Sequence, residues 1–165
     1  MRRTVLGSLV CLFVLSILAA AASKPNFTGS WTMDRSRSFG LPADMQQTMT
    51  VAQNEDTIEL ETKLIQPNNE RSVKDTYVID GKEHEFTPPV QPGQPPAKGK
   101  RTTTWLPAGN GIMVSEVTTA ETPKGPATTQ IVRKWTLSAQ GELVIDMYVD
   151  NPNVSYEAKR IFLKK

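Results

Sequence analysis

Two arginines in this sequence stand where a charge is expensive. Arg133 shares a strand face with Ile131, Trp135 and Leu137, and Arg160 shares one with Tyr156, Ala158 and Phe162. A guanidinium turned into an apolar interior is costly unless something partners it. A carboxylate or phosphate headgroup would do so through charge-assisted hydrogen bonds. Both residues are therefore candidates for direct contact with a small lipophilic, anionic ligand. Each also has a purely structural reading. Arg160 can stack on Trp31 as a cation–π latch. Arg133 can pair with an internal acid such as Asp75, which shares a face with Val73, Tyr77 and Ile79. Trp135 reads as core or as a ligand platform. Met49 and Met147, with Met45 and Met113, can line an adaptable apolar cavity or simply pack.

Nothing comparable points to catalysis. The chain has one Cys and one His, too few for a Cys/His zinc site or a nucleophile–base pair. His84 lies among Lys82, Glu83 and Glu85 and reads as part of an exposed strand. Glu59 and Glu61 share an outward face. No glycine-rich phosphate loop follows a strand and opens a helix. The sequence therefore predicts no catalytic residue, no metal site and no cofactor.

The first segment reads as an address. Arg2 and Arg3 precede an apolar run from Val5 to Leu18, and Ala19 to Ala22 supply small residues for cleavage. Residues 1–22 are expected to be a cleaved secretory signal peptide, leaving no membrane span. Cys11 sits inside the apolar run after Val10, which does not suit lipidation. Removing 22 of 165 residues leaves 143, without cysteine and with 17 basic against 17 acidic residues. A neutral chain has no field to attract nucleic acid. A disulfide-free exported chain suits a bacterial periplasm, so the expected location is periplasmic or secreted.

The candidate residues must be positioned by strands, because helical periodicity is absent and alternation recurs. In Asp56–Leu64, Ile58, Leu60, Thr62 and Leu64 share one face and Glu59, Glu61 and Lys63 the other. Such alternation marks half-buried antiparallel strands. Ten are expected: Phe27–Met33, Met45–Ala52, Asp56–Leu64, Ser72–Ile79, Lys82–Phe86, Lys100–Leu106, Gly111–Thr119, Thr128–Leu137, Glu142–Asp150 and Val154–Leu163. Short turns join them, among them Asp80-Gly81, a type I′ hairpin signal. An antiparallel up-and-down meander of this length hides its edges by closing into a barrel. The fold class is all-β, a lipocalin-like barrel of eight to ten strands with no substantial helix, forming one domain over 23–165. Two segments stay outside the strands: Asp34–Asp44, and 87–98, where five of the twelve prolines fall.

The first strand carries Gly29-Ser30-Trp31 after Phe27, and the last carries Arg160-Ile161-Phe162. In these features the chain resembles the calycins, the lipocalins and fatty-acid-binding proteins. The resemblance implies that Gly29, Trp31 and Arg160 close the barrel, with the basic residue packed across the Trp. It also implies a fatty-acid-like ligand held by Arg160, with Phe162 where fatty-acid-binding proteins carry Tyr, and by Arg133 two strands earlier. The helical lid of fatty-acid-binding proteins has no counterpart, because Asp34–Asp44 is too short for two helices.

The expected function is therefore an exported binding protein for a small lipophilic, anionic ligand in the barrel interior. The alternative is a non-catalytic envelope interaction module with a filled barrel, suggested by the proline-rich loop and the Thr102-Thr103-Thr104 run. An enzyme on a barrel scaffold is a remote third reading. No protein partner is implied.

Overall fold

Alternating faces become ten strands in the computed structural model, which describes residues 24–42, 44–67, 69–89, 96–123 and 125–165. The expected signal peptide and Cys11 lie outside the described residues, as does part of the proline-rich loop. The strands are β1 (Gly29–Met33), β2 (Gln46–Gln53), β3 (Thr57–Gln66), β4 (Asn69–Val78) and β5 (Glu83–Phe86), then β6 (Ala97–Trp105), β7 (Gly111–Thr122), β8 (Gly125–Leu137), β9 (Leu143–Asp150) and β10 (Ser155–Lys164). Among the described residues the only helical turn is a 3-10 turn over Arg35–Arg37, capped by Asp34, whose carboxylate accepts from the Ser36 and Arg37 amides.

Several strands run further than the alternation suggested, β4, β6, β7 and β8 by three residues at one end. β7 and β8 continue to a pairing of Thr122 with Gly125. Gly125, at the start of β8, takes a φ of +104° that a side chain would resist. β6 begins at Ala97, inside the stretch expected to be proline-rich loop. There Ala97 and Lys98 find partners in Ala120 and Thr119, and backbone hydrogen bonding outweighs a composition poor in strand formers.

Each strand pairs with the next in sequence except β4 with β5, and β1 lies between β2 and β10. Trp31 is the pivot of this closure, opposite Met49 on one side and Lys164 on the other. This is a nearly closed barrel, an antiparallel meander of ten strands, as the alternation predicted. The closure is incomplete at one place, because β4 and β5 are the two edges of the sheet and do not pair.

One end of the barrel is plugged. Phe27, Trp31, Ile112, Trp135, Leu143 and Phe162 are all essentially inaccessible. The Trp31 indole N–H donates to the Phe27 carbonyl at 2.9 Å, so the plug leaves that polar atom satisfied. The Phe27 and Trp135 rings meet edge to face at 5.8 Å, a favoured aromatic geometry.

The spacing Gly29-Ser30-Trp31 now has a local cause. Gly29 has a φ of +148°, and a Cβ there would lie 2.7 Å from the Lys164 Cε. Its bare backbone lets the Lys164 stem cross, placing the ammonium 5.5 Å from the Trp31 ring centroid. The latch across Trp31 is therefore Lys164 and not Arg160. The register explains the correction: Lys164 is the residue opposite Trp31, whereas Arg160 stands two residues beyond Phe162, the partner of Met33 at the end of β1.

Candidate functional site

The inward faces of the strands do not fill the barrel. Beyond the aromatic plug lies a cavity of about 750 Å³, within the usual range for small-molecule sites. Met45, Met49, Leu60 and Ile145 give it apolar walls, Trp135 forms part of its floor, and Tyr156 stands at its rim.

A chain of charges crosses this interior. Glu116 on β7 faces Arg101 directly across the β6–β7 pair and reaches Arg133 on the diagonal across β7–β8. Cross-strand neighbours on one face are close enough to pair in both ways. Glu116 accepts from Arg101 Nε at 2.7 Å and from Arg133 Nη1 at 2.5 Å. Arg101 then crosses the open seam between β4 and β5. It donates to the Asp75 carboxylate at 2.8 Å and to the Thr76 carbonyl at 3.1 Å, both on β4. Its guanidinium lies 4.1 Å from the Phe86 ring centroid and 4.6 Å from that of Tyr77. Gly99 makes this possible, since a Cβ there would run into the Phe86 ring. The unpaired sheet edges are thus joined by one arginine and two aromatic rings.

The electrostatics follow from the geometry. Burial alone would raise the Glu116 carboxyl, but Arg133 and Arg101 overcome that and hold it below its ordinary range. Burial pushes the Tyr77 hydroxyl up to about 12, so it stays protonated.

Arg160 is different. It lines the same cavity but has no hydrogen bond or ion pair among the described residues, and its Nε is buried without a partner. Burial first, and the Arg133 charge second, push its pKa down to about 10. It therefore remains a cation at neutral pH. Arg71, near the β3–β4 turn, also lines the cavity without a partner among the described residues. The described cavity carries more guanidinium groups than carboxylates, and the excess sits on groups with free donors.

The sequence candidates divide accordingly. Arg133, Arg160, Trp135 and Met49 line the cavity. Phe162 does not: it is fully buried in the plug with Trp31, so the aromatic two residues after Arg160 is core here. Met147 is packed against the core and does not line the cavity, and Met113 is exposed. Asp75 is internal as expected, but its partner is Arg101; Arg133 is held by Glu116. His84 lies at the surface and bonds Asp80 at 3.0 Å. Arg101, Glu116, Arg71 and Gln47 were not singled out from the sequence. Glu116, in line with Ile112 and Val114, and Gln47, between Met45 and Met49, are polar residues on apolar strand faces, the signal that marked Arg133 and Arg160. Arg101, between Gly99 and Thr103, and Arg71, between Asn69 and Val73, carry no such signal.

No family model and no curated protein sequence matches this chain. Among solved structures it is similar to the fatty-acid-binding protein of Manduca sexta, at 16% identity over 85% of this chain and 100% of that one, with a TM-score of 0.43. It is also similar to secretory abundant heat soluble protein 4 from Ramazzottius varieornatus, at 12% identity over 84% of this chain and 94% of that one, with a TM-score of 0.47.

Proposed function

We propose that this chain is an exported, non-catalytic binding protein that holds a small lipophilic anion, fatty-acid-like in chemistry, inside its barrel. The observation that carries the reading is Arg160, a cation in a cavity of about 750 Å³ with no protein partner among the described residues. A half-buried charge without a counter-charge is unfavourable, and an anionic headgroup would offset that cost. The methionine and leucine walls suit an alkyl chain.

Binding rather than catalysis is favoured because the one acid deep in the cavity, Glu116, is locked between two guanidinium groups and has no proton to exchange near neutral pH. The alternative of an interaction module required a filled barrel, and the open cavity counts against it. Export rests on the leader-like residues 1–22, and a periplasmic or secreted location goes with it.

The test is native mass spectrometry of protein isolated from its own envelope fraction, followed by lipid extraction. A bound acidic lipophile supports the reading. An empty protein that also fails to bind a panel of fatty acids and fluorescent lipophiles overturns it.

A further inference from the structure

Gln47 is not explained by an anionic headgroup. Gln47 lies on the inward face of β2, lines the cavity and is only 4% exposed. Its amide makes no hydrogen bond to any described residue, and its Oε1 is buried without a partner. Its neighbours along the strand face are Met45 and Met49, and its cross-strand partner is Leu64. An amide in such a wall is unfavourable relative to an apolar side chain of the same shape.

We propose that Gln47 is a second polar anchor, and that the ligand is a hydroxylated lipophilic acid whose hydroxyl, some way along the chain, bonds this amide. The inference rests on the binding role proposed above and narrows its ligand class. A lone water would not serve as well. Buried waters need two to four polar partners; the Met45, Met49 and Leu64 side chains beside Gln47 offer none, and Thr62 stands only on the diagonal. A hydroxyl carried on an alkyl chain is held in place by the packing of that chain instead. It both donates and accepts, so it suits the amide in either of its two orientations.

The register places the hydroxyl. Met49 and Lys164 flank Trp31 from opposite sides, so Gln47 stands level with Phe162, one inward step from Arg160. Two strand spacings across and one pleat repeat along the wall separate the backbones of Gln47 and Arg160, about 10 Å by about 7 Å. With the headgroup on Arg160, the amide meets the middle of the chain and not the carbons beside the carboxylate.

The experiment is displacement of a fluorescent anionic lipophile from the purified chain. The competitors are octadecanoate, the same acid hydroxylated at the second, tenth or twelfth carbon, and the methyl ester of the best of these. A mid-chain hydroxyl should tighten binding about tenfold, as one well-made buried hydrogen bond would. A hydroxyl at the second carbon should not. In Gln47→Leu the preference should collapse to within about twofold while octadecanoate binds at least as well as before. Gln47→Met provides the same readout should the leucine variant misfold. Equal affinity for all the acids, or a hydroxyl preference that survives in both variants, would overturn the proposal. Should the methyl ester show the same Gln47-dependent preference and bind as tightly as the acid, the anionic reading of Arg160 fails and the Gln47 anchor stands. Displacement by none of the competitors overturns both.

Discussion

Arg133 and Arg160 carry the same charge into the same cavity, yet their removal should have opposite consequences. Arg133 neutralises Glu116, so Arg133→Met leaves a buried carboxylate short of a partner. We expect a loss of about 3 kcal/mol, read by chemical denaturation. Arg160 neutralises nothing in the described structure, so Arg160→Met should leave the ligand-free barrel unchanged or more stable by about 1 kcal/mol. The same scale fixes a pH dependence. Glu116 is held below its ordinary value of 4.5 by the two arginines. A carboxyl with a depressed folded pKa contributes stability that is complete above the unfolded value and is lost as pH falls through the folded one. Glu116→Gln should therefore be less stable than the parent at neutral pH and should show a shallower further loss below about pH 4.5. Acid titrations of both proteins followed by tryptophan emission would show it. At this scale the sequence was half legible. A charge on an apolar strand face is visible in the letters, which is how Arg133, Arg160 and Asp75 came to notice. Which charges meet is set by register and by the seam, so the pairing of Arg133 with Glu116 was not readable.

At the scale of elements, the strands were legible because alternation is a local property, while the places where the sheet closes and fails to close are not. The closure at β1 and β10 uses Gly29, whose φ of +148° disfavours any side chain and over which the Lys164 stem crosses. Gly29→Ala should cost about 1–2 kcal/mol through the strained backbone and the displaced lysine, measurable as a lowered midpoint of thermal unfolding. The opposite case is the seam between β4 and β5, where Arg101 binds Asp75 and the Thr76 carbonyl. Arg101→Met should free these two edges. Amide hydrogen exchange ought then to rise in the Thr76–Val78 and Glu83–Phe86 stretches ahead of the rest of the barrel, as expected of a locally opening unit. Uniform acceleration over all ten strands would show instead that Arg101 supports the fold as a whole. The turn at Thr122 and Gly125 escaped sequence reading for a related reason. Gly and Pro mark a chain reversal there, but not that the hairpin runs right up to it.

At the scale of the molecule, the barrel is plugged at one end by aromatic rings and left hollow at the other. A chain that only needed to fold would gain by filling that space, since close-packed interiors are the more stable ones. This one keeps a cavity of about 750 Å³ and lines it with a guanidinium and an amide that no described residue satisfies. The central claim is that Arg160 is reserved for the headgroup of an anionic lipophile. Isothermal titration of the purified chain and of Arg160→Met with dodecanoate, at neutral pH and physiological salt, tests it most directly. The account predicts measurable binding by the parent and an affinity at least about tenfold weaker in the variant, the loss of one charge-assisted contact. Equal affinities in the two proteins, or no binding by the parent, would contradict it.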